Sequence, residues 1–475
     1  MGESLTLDFG LGSEPGRYGQ DTGPRHWNAI VEAKQKGKVP APIYVEDGFT
    51  VFSPGRTFAA NRGMVVLDDT TMYALLGTVF TKIGADGQRT GVGNIAGTAR
   101  AIMARNEAST VQIAIVIDGN KFICSNDTVT TLSDADLPAA NSCTFLNRKI
   151  IFGIDDGRFF WSAVDDSTSI SALDFAEAEG NPDGGVRVIA HLQELWIFGT
   201  ESIEVWYDNG DGFTRRTGVV IPKGCLGKHK HTIAELDKDL FWVGNDNVVY
   251  AAAGYGFERI STDYLEELIR LTQDKSTLVA TAYFKNGTGF YVLSSDEWSW
   301  AFNRTLSQSS GQACWSERFS KGGTRWKGNG AVNFANRVII GSKDDDALYQ
   351  MSQAAFTEAG EEIIWRVRCA PMHAFPNQIC VDRLHLDLFT GFGLNSTDEK
   401  KSDPRIGLRW SDDGGRTWSN QLFRSLGKIG KGMTRVTFDA LGLTGVSGRI
   451  WELESSSPTV RGLMQAKIEG DLNST

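Results

Sequence analysis

Glu194-Leu-Trp-Ile-Phe-Gly199 is a short apolar run ending on glycine; a polar turn follows, then a second run, Ser202-Ile-Glu-Val-Trp-Tyr207. Two such runs, rich in β-branched and aromatic residues, read as a β-hairpin. The pattern recurs at Lys149-Ile-Ile-Phe-Gly153 with 158–163, Asp239-Leu-Phe-Trp-Val-Gly244 with 247–252, and Arg337-Val-Ile-Ile-Gly341 with 347–352. Weaker copies occupy 73–77 with 79–83, 113–118 with 121–124, and 290–294 with 299–303. The turns, at 77, 118, 153, 199, 244, 294 and 341, are 35 to 50 residues apart. Units of roughly 40–50 residues around a central hairpin have the size of a four-stranded propeller blade. One small sheet cannot bury both faces alone; blades packed around an axis bury them all and leave only short edges. The expected fold is all-β, a β-propeller of seven blades, with six as the alternative count.

The flanks read differently. Residues 1–63 carry Pro15, Pro24, Pro40, Pro42 and Pro54 among many glycines, the composition of an extended arm wrapping other surfaces. The propeller is expected over 64–360, and a C-terminal β domain over 361–475. That domain shows longer strands at 363–369, 381–389, 406–410, 433–438, 449–455 and 463–469. The polar segment 391–404 reads as a flexible loop or projecting tip. One helix is expected at 263–271, where Tyr264, Leu265, Leu268 and Ile269 form a face behind a Ser-Thr-Asp cap.

The formal net charge is −10, from 58 acidic and 48 basic residues. Such a chain does not gain from the counterion release that drives general nucleic-acid binding. It suits a wall that DNA slides past. Locally the balance reverses: Lys400, Lys401, Arg405, Arg409, Arg416, Arg424, Lys428, Lys431 and Arg435 face only Asp403, Asp412 and Asp413. This reads as a solvated surface, or as a basic patch docking on an acidic neighbour or touching DNA. Trp410, Trp418 and Phe423 are too few for base stacking along a strand. Cys124, Cys143, Cys225, Cys314, Cys369 and Cys380 lack C-x-x-C spacing and read as buried, reduced thiols. No signal-peptide pattern or membrane-length apolar run is present, so a soluble chain made in the cytosol is expected.

Candidate chemistry is sparse. Ser411, Asp413, Gly415, Thr417 and Trp418 complete an Asp-box, S-x-D-x-G-x-T-W. In it Asp413 can hold the turn backbone, Gly415 permits positive φ, and Trp418 packs beneath the hairpin. Asp-boxes also decorate sialidase propellers, away from the catalytic centre, so the motif does not itself imply hydrolysis. Cys225 with His229 and His231 is the nearest approach to a metal cluster; a His-x-His on a strand presents both rings on one face, but no fourth ligand sits at suitable spacing. His26, His191, His373 and His385 are isolated. Gly91-Val-Gly93-Asn-Ile-Ala-Gly97 departs from phosphate-loop spacing, and Asp165, Asp166 and 344–346 read as solvated turn carboxylates. No catalytic residue, metal or cofactor is expected.

Longer stretches resemble a family. Phe159-Phe-Trp-Ser162, Ser171-Ala-Leu-Asp-Phe-Ala-Glu-Ala-Glu179, Pro182-Asp and Val186-Arg-Val-Ile189 are similar to the packaged-DNA stabilisation proteins, tail accessory factors of short-tailed phages of the Salmonella podophage type. The hairpin 194–207, Gly224-Cys225, Leu240-Phe-Trp-Val-Gly244 and Gly254-Tyr-Gly-Phe-Glu-Arg-Ile-Ser-Thr262 continue in order. Trp410-Ser-Asp-Asp-Gly-Gly-Arg-Thr-Trp-Ser-Asn420 and Arg424-Ser-Leu-Gly-Lys-Ile-Gly430 resemble the family's closing hairpin. The resemblance implies a non-enzymatic tail nozzle in the virion, assembled in the bacterial host cytoplasm. It implies a homohexameric ring below the head-to-tail adaptor protein, meeting a tail needle or plug and tailspike or fibre proteins. Packaged DNA would be sealed and later conducted through an acidic or neutral lumen without specific binding. The alternatives are a glycan-binding or sialidase-like propeller, and a cytosolic scaffold propeller.

Overall fold

The computed structural model describes residues 3–34, 36–178, 180 and 183–473. Glu179 and Pro182, quoted above, lie outside them. The chain forms two compact units, one of 51–295 and 327–350, the other of 1–50, 296–326 and 351–475. Among the described residues no helix is long and apolar enough to cross a membrane.

The first unit is a propeller. Five four-stranded antiparallel meanders follow in sequence, beginning at Asn61–Val66, Ile102–Arg105, Ala140–Leu146, Gly185–His191 and Ala234–Leu236. The hairpin Val279–Lys285/Thr288–Ser294 comes next, then the paired strands Gly328–Phe334, Arg337–Ser342 and Leu348–Ser352. Gly328–Phe334 packs against Val279–Lys285 on one side and Asn61–Val66 on the other, closing the ring. The cores lie between successive sheets: Phe152 and Phe160 pack against Ile102 and Val116, and Phe198 against Trp242. Side-chain hydroxyls stitch first strand to first strand. The Val188 N–H donates to Ser142 Oγ (3.0 Å), Ala190 N–H to Thr144 Oγ1 (2.9 Å) and Gly330 N–H to Thr281 Oγ1 (3.1 Å).

The glycine that ends each quoted run has a packing cause. A Cβ on Gly199 would lie 2.3 Å from Asp183 Oδ2, and one on Gly341 2.2 Å from Asn61 Nδ2. The tight turns lie elsewhere. Asn147-Arg148, Leu192-Gln193 and Ala335-Asn336 take positive φ at both residues, the backbone of two-residue hairpins matched to strand twist. The helix Asp263–Leu271 forms as expected, capped by Thr262, with Leu265 and Ile269 buried.

The second unit is a β-sandwich. One sheet runs Ala29–Val31, Ile43–Val45, Gly462–Asn473, Gln378–Leu388, Val436–Leu443, with Glu3–Thr6 also paired to Gly462–Asn473. The other runs Ser299–Asn303, Trp315–Glu317, Arg25–Trp27, Trp365–Arg368, Ile450–Ser455, Arg405–Ser411, Leu422–Ser425. Trp365, Trp451, Leu453, Leu384, Phe438 and Ile468 share the core between them.

These units do not follow the consecutive ranges 1–63, 64–360 and 361–475. The N-terminal segment supplies strands to both sandwich sheets, and 296–326 falls within the second unit, while Ser299–Asn303 pairs with Thr288–Ser294 as the hairpin reading expects. The six cysteines are not all buried either: Cys380 is exposed, because its strand neighbours Ile379 and Val381 take the core-facing side.

Candidate interaction surface

Two loops of the sandwich unit, 389–404 and 426–435, are fastened together by their backbones. The Gly391 N–H donates to the Leu426 carbonyl (2.8 Å), Gly430 N–H to Gly391 (3.1 Å), and Thr390 Oγ1 to Gly432 (2.9 Å). Gly391 needs its positive φ and lack of side chain there, since a Cβ would lie 2.5 Å from the Gly432 nitrogen. Segment 391–404 is thus a built loop with its own helical turn, Glu399–Ser402, capped by Asp398.

The loops border an open cavity of about 540 Å³ floored by Leu386, Leu388 and Val436, with Lys38, Phe392 and Met433 also lining it. Met433 is 98% and Ile429 66% exposed, and Phe392, Leu394 and Phe423 are exposed nearby in sequence. Apolar side chains of this size gathered in solvent mark interaction sites.

The basic run divides. Lys400 bridges Glu362 (2.7 Å), Lys401 reaches Asp398 (3.9 Å), Arg405 pairs with Glu399, and Arg409 Nε donates to Glu452 (2.6 Å). Among the described residues Arg416, Arg424, Lys428, Lys431 and Arg435 form no ion pair. The net positive surface therefore narrows to 416–435, beside Ile429 and Met433.

The arginines of the neighbouring sheet are neutralised. Fully buried Glu452 accepts from Arg368 Nη2 (2.7 Å) and Arg409, while Arg25 Nε donates to Glu317 (2.9 Å) and Arg366 Nε to Glu454 (2.7 Å). Arg25 and Arg368 stack on Trp27 at 4.6 and 5.0 Å, and Arg368 and Arg409 on Trp418 at 4.6 and 4.8 Å. Each guanidinium already has a carboxylate and an aromatic face.

In the Asp-box turn Asp413 Oδ1 accepts from Arg416 N (2.9 Å) and Ser411 Oγ (2.7 Å), and its Oδ2 from Thr417 Oγ1 (2.5 Å). These bonds, Thr417's first, hold the Asp413 carboxyl well below the usual carboxylate range. Gly415 has φ +88°, and Trp418 Nε1 donates to the Gly415 carbonyl (3.1 Å). All five residues spend their polar groups on the turn.

His229 and His231 do not lie on a strand: His229 caps a 3-10 turn, Lys230–Thr232, that contains His231, and Cys225 is buried, its thiol 3.7 Å from the His229 carbonyl. Among the described residues no group of three or more His, Cys, Asp and Glu could hold a metal ion. Burial pushes the Cys225 thiol up to about 11 and Cys143 and Cys369 to about 12, leaving them protonated and unreactive. Gly91 and Gly93 pair within the outer strand Arg89–Asn94, in no phosphate loop. The turn carboxylates are engaged: Asp165 pairs with Arg148, Asp166 accepts from Thr168 N (3.0 Å), and Asp346 accepts from Arg56 N and Thr57 N (both 2.7 Å). Sequence reasoning did not single out Ile429 and Met433, or Arg100 and Arg187; the alternation of charge and apolarity in Lys428-Ile-Gly-Lys-Gly-Met433 was the available signal for the first pair.

The family described as bacteriophage P22 Gp10, beta-propeller, matches residues 28–356. That span takes in much of the N-terminal segment and ends before the Asp-box hairpin. No curated protein matches the sequence. Similar solved structures include the WD40 beta propeller domain of Doa1 (13% identity, 65% of this chain and 97% of that one, TM-score 0.41). PorZ of Porphyromonas gingivalis (12% identity, 71% and 44%, TM-score 0.38) and the computationally designed Ika8 protein (12% identity, 73% and 100%, TM-score 0.39) are others. The family match covers more than half of the chain and every quoted hairpin of the propeller, so the chain belongs to this family of phage packaged-DNA stabilisation proteins.

Proposed function

We propose that the chain is a tail nozzle subunit of a short-tailed phage virion, sealing the packaged genome and later conducting it outward without a catalytic step. The family match across the propeller carries this reading. The net charge of −10 supports it, since a conduit that bound phosphate would retard its cargo. In this reading seven blades form the propeller, six copies close into a ring, and the ring hangs below the head-to-tail adaptor. A needle or plug closes the far end, with tailspike or fibre proteins alongside. Closed rings use two different patches of each subunit, and the basic and apolar loops around Ile429 and Met433 suit one of them.

Electron microscopy of purified virions, beside particles from a deletion of the gene, tests the proposal. A ring at the distal tail in normal particles, with deletion heads losing their DNA, is the expected result. Infectious, DNA-retaining particles lacking the protein would refute it.

A further inference from the structure

Where the first strands of the propeller unit converge lies a cavity of about 230 Å³. Small residues of those strands form much of its wall, among them Gly63, Ala101, Ala282 and Gly330. Arg100, Arg187 and His231 line it, with Thr281, and its lining contains no carboxylate. In a chain with ten more acidic than basic residues, that concentration of one sign is unusual. Lys230 adds to it: Arg100, Arg187 and Lys230 all act on the His231 ring and, after burial itself, hold its pKa well below the ordinary value.

The donors are placed for a ligand. Arg187 Nη1 donates to the Lys230 and Ile233 carbonyls (3.1 and 2.7 Å), which fixes the guanidinium, while its Nε is shielded from solvent and has no partner. Thr281 Oγ1 accepts from the Gly330 N–H, so its own proton remains to be given. Like charges gathered in a confined space repel one another, and an anion between them removes that cost. A guanidinium fork matches the two-oxygen edge of an oxyanion better than a spherical ion.

We propose that this cavity binds a compact tetrahedral oxyanion of the phosphate and sulfate class, held between Arg100 and Arg187 with Thr281 and His231 completing its shell. The site belongs to the propeller alone and does not depend on the nozzle reading. Residues from several sheets meet there, so the ion would tie the blades together at their axis and stabilise the fold by mass action.

The test titrates the purified full chain with inorganic phosphate against chloride at constant ionic strength, following thermal unfolding and calorimetry. A saturable, phosphate-specific rise in Tm with a one-site isotherm is expected, weakened roughly tenfold or more in Arg187→Met and Arg100→Met. A Tm that responds no more to phosphate than to chloride, or a response unchanged in both variants, overturns the site. Should the variants fold poorly, crystals of the unaltered protein soaked in tungstate decide. An anomalous peak beside Arg187 supports the proposal, and peaks confined to other places overturn it.

Discussion

His26 is 1% exposed, its Nε2 lies 2.7 Å from the Phe9 carbonyl, and burial lowers its pKa to about 4. The folded state thus keeps this imidazole neutral where the unfolded chain, titrating near 6.5, takes up a proton. Stability from this residue is full above pH 6.5 and declines as pH falls toward 4, by about 3 kcal/mol in all. His26→Gln, which retains a donor for the Phe9 carbonyl, should flatten the unfolding free energy between pH 7 and 4.5 relative to the parent. Equal pH slopes in the two proteins would remove His26 as the cause. Asp413 is a different case, a carboxylate at the surface whose bonds all serve one turn. Asp413→Ala should lower Tm and open the 411–418 turn to trypsin at Arg416; an unchanged digestion pattern would mean the turn holds without it. That Asp-box was readable from its spacing, because its bonds are local. The burial of His26 was not, because its enclosure depends on strands brought together from distant sequence.

At the scale of elements, the repeated glycine shows how a sequence signal can be right about place and incomplete about cause. Gly199 looked like a turn residue, yet Asp183 occupies the space where its side chain would stand, accepting from Glu201 N and Ser202 N at 2.7 Å each. Gly218, on the outer strand Phe213–Ile221, has φ +77° and open space around it. Gly199→Ala should therefore cost about 1–3 kcal/mol through overpacking, and Gly218→Ala about 1 kcal/mol through backbone strain alone. Chemical denaturation of the two variants checks the order, and a milder effect at Gly199 would contradict the packing account. The hairpins themselves were legible because each strand pairs with its immediate neighbour in sequence. Ser299–Asn303 follows the same rule, pairing with Thr288–Ser294 before it and Trp315–Glu317 after it. Trp315–Glu317 shows the limit, since its parallel partner Arg25–Trp27 lies far back in the sequence and no local pattern announces the pairing.

For the whole molecule, the sandwich unit draws on three separated parts of the chain, while the propeller is nearly continuous. Local periodicity therefore exposes the propeller and conceals the sandwich, whose strands at 25–27 and 43–45 each pair with a partner more than three hundred residues away. Charge is likewise a property of the assembled surface. Nine basic residues in the run 400–435 suggested a broad patch, but four are paired with Glu362, Asp398, Glu399 and Glu452. What remains is narrower: Arg416, Arg424, Lys428, Lys431 and Arg435, the last three close in sequence to the exposed Ile429 and Met433. If this surface seats a neighbouring tail protein, reversing its charge should abolish docking while leaving the fold intact, because exposed residues without partners contribute within about 0.5 kcal/mol. The combined variant Lys428→Glu, Lys431→Glu, Arg435→Glu should unfold like the parent yet fail to enter tails in reconstitution with particles lacking the protein. The parent's docking should weaken as salt rises from 0.05 to about 0.5 M, since screening shortens the reach of surface charges to a few ångströms. A charge-reversed chain that restores infectivity at the parent's level would place the docking surface elsewhere and leave these loops free in the virion.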